Sequence, residues 1–291
     1  MLGIPLRYVL RHPVQAVKDL AEDPLEAWTT IQETYLAERE QGKAQCPYEC
    51  DGSWESRLHG YLGLGWPCKS DAEFWPLWVE VTKELEAKGV HAGPKSFLSW
   101  NDGDAAFVRT IWCLTRFLRP KIIVETGVAH GVTSRFILAA LERNGQGHLY
   151  SIDLPPLERA WRKQVAIAVG DRYADRWTYI KGSSRRRLPG LISELGVIDL
   201  FIHDSLHSER NVRFEMENAW RALRPGGALV VDDVDANWGF RSFTQDNIAD
   251  KILICEAEPL RPDTRRFNQK GLFGIILKQG AARPRSRAAG A

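Results

Sequence analysis

The chain has 291 residues, 44% of them hydrophobic, and a formal charge of +2 at neutral pH. That length allows one large domain with an appendage, and the near-balanced charge excludes a general attraction to nucleic acid or to an anionic membrane surface. No apolar run reaches the length of a bilayer span, and Pro5, Arg7, Arg11, His12 and Pro13 interrupt any secretory pattern, so a soluble cytoplasmic protein is expected.

Residues 1 to about 40 read as helical. Val14, Val17 and Leu20, then Trp28, Ile31, Tyr35 and Leu36, recur at helical spacing, with Asp23-Pro24 as a break and helix start. The stretch from Gln41 to Ser70 is rich in Gly, Pro, Cys and Trp and is expected to be a loop. Within it Cys46, Cys50 and Cys68, with His59 nearby, raise a zinc site, although C-x3-C-x17-C lacks a second close pair. Cys113 and Cys255 lie in apolar patterns and read as buried thiols. Asp71 opens a further helix whose stripe is Phe74, Trp78, Val81 and Leu85, with Gly89 as its stop. Residues 1–104 thus form an N-terminal helical or cap region, 105–280 the main domain, and 281–291 a disordered, low-complexity tail.

From Asp104 the pattern turns regular. A helix over Ala105 to Leu118 is followed by strand 122–125, helix 133–143, strand 148–153, helix 157–170, strand 177–181, helix 188–195 and strand 198–204. Helix 208–223, strand 228–232, helix 241–249 and strands 251–256 and 272–278 complete it. Strands alternating with helices predict a parallel sheet, and runs such as Leu229-Val230-Val231 suit strands buried on both faces. The last two strands are joined by a loop containing Pro259 and Pro262, which predicts an antiparallel end to the sheet.

Lys121 to Ser134, KIIVETGVAHGVTS, reads as strand, glycine turn and helix: a backbone able to approach a nucleotide-like ligand, with a helix N-terminus aimed at it. Glu125, Asp153, Ser183, Asp204 and Asp232-Asp233 all fall at or just past strand ends, where ligands bind in parallel α/β sheets. Asp153 lies about 20 residues beyond the glycine turn, the spacing of a ribose-binding acid. A nicotinamide enzyme shares this logic, but GVAHG is not G-x-G-x-x-G. Neighbouring parallel strands stand about 4.8 Å apart, so Asp204 should meet Asp232 and Asp233, and three such carboxylates repel unless a cation sits among them. Hard oxygen donors suit Mg²⁺. Asp232 and Asp233 point to opposite faces of a regular strand, so both can ligate only if the chain leaves the extended conformation there. His207, three residues beyond Asp204, is placed as a general base, whereas His203 inside the strand reads as a core residue.

Glu125 to Ser134, ETGVAHGVTS, resembles the first motif of the S-adenosylmethionine-dependent methyltransferases, and Arg221 to Asp233, RALRPGGALVVDD, resembles their late motif. The resemblance covers roughly residues 105 to 278 and implies a Rossmann-like α/β fold, a seven-stranded sheet of order 3-2-1-4-5-7-6 with strand 7 antiparallel. It implies that Gly127 and Gly131 reach the methionine part of the cofactor, with Glu125 near its ammonium group. Thr133 and Ser134 would then contact the cofactor or cap the helix. Asp153 would hold the ribose, and Gly182, Ser183 and Ser184 would meet the adenine.

Asp204-x-x-His207 followed by a paired acid on the next strand is similar to the metal-dependent sugar O-methyltransferases of macrolide biosynthesis. It also resembles the cephalosporin hydroxylase-like group on the same fold. This implies Asp204, Asp232 and Asp233 as Mg²⁺ ligands and His207 as the base; the relatives often carry Glu-Asp where this chain has Asp232-Asp233. The expected activity is Mg²⁺-dependent O-methylation of a hydroxyl on a sugar or polyhydroxylated small molecule. The N-terminal helices would cap the acceptor or form an oligomer surface, and Trp100, Asn101 and Trp238 are candidates to line it. A catechol-type methyltransferase, a hydroxylase and a non-catalytic cofactor-binding module are the rival readings.

Overall fold

A computed structural model describes residues 21–40, 46–50, 52–91, 104–154, 156, 159–246, 251–258 and 271–279. The expected tail, helix 14–20, Trp100, Asn101 and the Pro259–Pro262 loop lie outside the described residues. Among the described residues three helices precede the sheet: α1 (Pro24–Glu40), α2 (Trp54–Tyr61) and α3 (Lys69–Ala87). Asp104 then opens α4 (Ala105–Leu118), its carboxylate accepting from the backbone N–H groups of Ala106 and Phe107 at 2.9 and 3.2 Å. There follow β1 (Ile122–Thr126), α5 (Val132–Asn144), β2 (His148–Asp153), α6 (Arg159–Arg162), β3 (Trp177–Lys181), α7 (Ser184–Leu195) and β4 (Ile198–His203). The chain continues with α8 (Glu209–Ala222), β5 (Leu223–Val231), α9 (Gly239–Asp246), β6 (Lys251–Glu256) and β7 (Leu272–Leu277).

The seven strands form one sheet of order β3-β2-β1-β4-β5-β7-β6. The first five are parallel, and β7 runs antiparallel to both β5 and β6. Side chains alternate across it: Ile123 of β1 joins one buried cluster and Val124 the other. The first cluster packs α2 to α5, with Phe74, Trp78 and Phe136 in ring contact at 4.9 to 5.6 Å. The second packs α7, α8 and α9, through Leu188, Met216 and Phe243 among others. Helices α2 and α3 therefore share one core with the sheet. Among the described residues no helix is long and apolar enough to cross a membrane.

Four expectations change. Gln41 to Ser70 contains α2, anchored by buried Trp54 and Leu58, so its turn-forming composition hid an amphipathic octet. Helix 157–170 shrinks to the single turn α6, because Ala166 takes a positive φ and the amides of Ala166 and Ala168 donate instead to the carbonyls of Ala129 and His130. Helix α7 starts at Ser184 rather than residue 188. In α1 the apolar stripe faces outward, with Trp28 64% and Tyr35 57% exposed, because the opposite face carries acids that meet arginines of α7.

Candidate functional site

The strand ends are in register. His203 pairs with Val231, and the amides of Asp204 and Asp232 donate to the carbonyls of Thr126 and His203 at 2.8 and 2.9 Å. Asp204 and Asp232 therefore leave the sheet side by side. One donor atom from each of Asp204, His207 and Asp232 falls within 4.8 Å of the others. Asp233 has φ 50°, so the chain does leave the extended conformation after Asp232. Its carboxylate lies 3.9 Å from His207 Nδ1, while Asp204 lies 3.7 Å from His207 Nε2. Of the three carboxylates expected around a cation, Asp204 and Asp232 fall in the close donor group with His207, and Asp233 stands beside the imidazole.

Next to this group is a cavity of about 350 Å³ lined by Asp204 and by Gly127, Asp153 and Ser183 of the residues assigned to the cofactor. Gly182 and Ser184 line it as well. Gly127 is obligatory here: its φ is +84°, and a Cβ would lie 1.8 Å from the carbonyl oxygen of Asp204. Glycine lets the β1 turn cross the end of β4. Asp153 accepts from the Val128 N–H at 3.1 Å and the Tyr179 hydroxyl at 3.0 Å; burial raises its pKa, opposed by these bonds.

The other four, Glu125, Gly131, Thr133 and Ser134, do not line the cavity. Gly131, the N-cap of α5, packs against Ala166 and Val169, and its helix has no side-chain cap, so Thr133 and Ser134 do not cap it. Ser134 instead donates to Glu125 Oε2 at 2.6 Å, as Ser151 does at 2.7 Å. Glu125 is fully buried, and burial pushes its carboxyl up to about 7 against those two bonds. Such a raised carboxyl favours the fold below its unfolded value near 4.5 and loses that contribution as pH rises through 7. Wild-type stability should accordingly fall between pH 4.5 and 7 relative to Glu125→Gln, by on the order of 3 kcal/mol at most. Denaturant melts of both proteins across that range measure it, and parallel pH profiles would refute it.

Sequence reasoning missed two contributors. Thr30 and Glu33 of α1 line the cavity. The helix is held there by Arg185 on Glu33 at 3.1 Å and by Arg186 on Asp23 and Glu26, both at 2.9 Å. Glu26 also accepts from the Ser183 N–H at 2.8 Å, at the end of the cavity expected for adenine. The signal was present as a triple arginine opposite an acidic helix face. The other is Glu215, buried on α8, which accepts from the Ser205 hydroxyl at 2.7 Å and lies 2.6 Å from His203 Nδ1. His203 is the core residue it was expected to be. Trp238 is 36% exposed beneath Arg241 and does not line the cavity.

Residues 124–234, from β1 to just past β5, match a family model described as "Methyltransferase domain". The matched segment is less than half of the chain. It holds both glycine turn and acidic cluster, and the cavity between them opens along its strand ends. A protein from Mycobacterium sp. (strain JLS) assigned as an O-methyltransferase is 32% identical over 118 residues, 40% of this chain and 50% of that protein. The chain thus aligns with half the length of that curated relative. Two solved structures share the fold. A cofactor-bound protein from MTB superposes with TM-score 0.50 at 18% identity, covering 71% of this chain and 91% of that one. The O-methyltransferase TomG from Streptomyces achromogenes, involved in tomaymycin synthesis and solved with SAM, gives 0.50 at 16%, covering 80% and 100%.

Proposed function

We propose that the protein is an S-adenosylmethionine-dependent O-methyltransferase that uses Mg²⁺ and acts on a hydroxyl of a sugar or polyhydroxylated small molecule. The observation that carries this reading is the placement of the Asp204–His207–Asp232 donor group beside a cavity walled by Gly127 and Asp153. The relative assigned as an O-methyltransferase and the SAM-bound structural neighbour support the cofactor and the reaction class.

The residues fit both groups. Gly127 admits the chain crossing that forms the cavity wall, Asp153 offers two carboxylate oxygens for ribose hydroxyls, and Gly182 to Ser184 form the adenine end. S-adenosylmethionine supplies the electrophilic methyl. Asp204 and Asp232 offer hard oxygen donors within reach of one ion, and Mg²⁺ bound by them would lower the pKa of an acceptor hydroxyl. His207, between Asp204 and Asp233, takes the proton of that hydroxyl, and Asp233 steadies the resulting charge. Helix α1 screens the cavity from water through Thr30 and Glu33.

Calorimetry with S-adenosylmethionine, with and without Mg²⁺, followed by methyl transfer to a panel of glycosides, tests the reading. Binding should occur in both conditions, and turnover should vanish in EDTA and return with added Mg²⁺. Undiminished turnover in EDTA would remove the metal from the proposal, and absence of S-adenosylmethionine binding would remove the whole of it.

A further inference from the structure

A second donor group forms where α2, the start of α3 and α4 meet. His59 of α2 is 2% exposed, Cys113 of α4 is 3% exposed, and Cys68 is the N-cap of α3. One donor atom from each of the three lies within 4.8 Å of the others. The two sulfurs are 3.7 Å apart. A tetrahedral ion with metal–sulfur bonds of about 2.3 Å sets its sulfurs about 3.8 Å apart, whereas a disulfide needs about 2.05 Å.

The histidine is prepared as a ligand. Its Nδ1 lies 2.7 Å from the carbonyl oxygen of Glu55, an acceptor only, so Nδ1 carries the proton and donates it. Nε2 is left with its lone pair, and it is buried without a hydrogen-bond partner. Imidazoles that bind metals are fixed in this way, by a backbone carbonyl on the far nitrogen. That lone pair shares its surroundings with the two sulfurs, so the three groups can converge on one ion. The Trp66 ring packs at 4.6 Å from the His59 ring, with the Arg109 guanidinium 5.5 Å from the Trp66 centroid, and together they shield the site.

We propose that His59, Cys68 and Cys113 form a structural zinc site that fastens the N-terminal helices to α4. Two thiolates and an imidazole suit a borderline-soft d¹⁰ cation and not the hard ion of the acidic group. The cysteines first suspected from spacing divide: Cys68 and His59 belong to the site, while Cys46 and Cys50 lie elsewhere, the latter donating to the Ile254 carbonyl. Cys113, far along the sequence, supplies the partner that the spacing lacked.

Full-length protein stripped of metal and titrated with Co²⁺ tests this without any variant. One ion per chain should produce a thiolate-to-cobalt charge-transfer band, which oxygen-bound Co²⁺ at the Asp204 group cannot give, and Zn²⁺ should abolish the band by displacement. Zn²⁺ should also protect two of the five thiols from a thiol reagent. Cys68→Ser and Cys113→Ser should each lose the band, His59→Gln should weaken binding at least tenfold, and Cys46→Ser should match the parent. No charge-transfer band, equal reactivity of all five thiols with and without Zn²⁺, or formation of a Cys68–Cys113 disulfide in the presence of Zn²⁺ would each overturn the site.

Discussion

Asp204→Ala should lower turnover by about 100-fold or more, the scale of losing one charge contact in a transition state, with S-adenosylmethionine affinity changed no more than about threefold. The separation follows from how Asp204 is used. Its backbone carbonyl lies against Gly127, and its amide donates to Thr126, so the chain crossing that shapes the cavity survives removal of the side chain. Its carboxylate lies 3.7 Å from His207 and within reach of Asp232. Asp204→Asn keeps the volume and removes the charge, so it should behave like the alanine variant. EDTA should bring the wild type down to the variants' rate and leave the variants unaffected. Equal losses in cofactor affinity and turnover would place Asp204 in the cofactor site alone. Unchanged turnover would remove it from the chemistry.

The cavity floor was legible from sequence because in a parallel sheet each buried strand ends abruptly. Uninterrupted apolar runs such as Leu200 to Ile202 and Leu229 to Val231 close on polar residues at one edge, and strand order then follows from the alternation with helices. What could not be read was which polar residues turn inward behind that edge. Glu125 and Asp153 both end apolar strands, yet one is sealed behind Ser134 and Ser151 and the other lines the cavity. The difference lies in register, a tertiary fact: Glu125 pairs with Ser151, two residues short of Asp153 at the end of β2. The turn at Asp233 is of the same kind: a positive φ there breaks the alternation on which a strict strand reading depends. Helix α1 shows the complementary failure. Its apolar spacing is real, but charge pairing with Arg185 and Arg186 decided which face turned toward the domain.

Glu215→Ala should be the most destabilising of the changes considered, by about 3–5 kcal/mol, the range for removing one partner of a buried ion pair. Its carboxylate is fully buried and collects donors from four sides: Thr126 of β1, His203 of β4, Ser205 after β4 and Asn211 of its own helix. Alanine leaves all four facing an apolar hole. Burial alone would raise this carboxyl, but the imidazole of His203 beside it and the bonds from His203 and Thr126 outweigh it and hold the pKa down to about 2. A depressed carboxylate stabilises the fold above its unfolded value near 4.5, and that contribution is lost as pH falls through 2. The gap between wild type and Glu215→Ala should therefore narrow as pH falls below 4.5. The same carboxylate anchors the turn that carries Asp204 and His207, since Asn211 Nδ2 donates to Glu215 and also to the Leu206 carbonyl at 3.1 Å. Activity of the folded variant should drop with its stability, whereas Glu215→Gln, which still accepts from Ser205 and Asn211, should recover part of both. Chemical denaturation with parallel turnover assays decides it: a loss below about 1 kcal/mol would mean that water or rearranged side chains satisfy the network, and that the turn holds its shape without it.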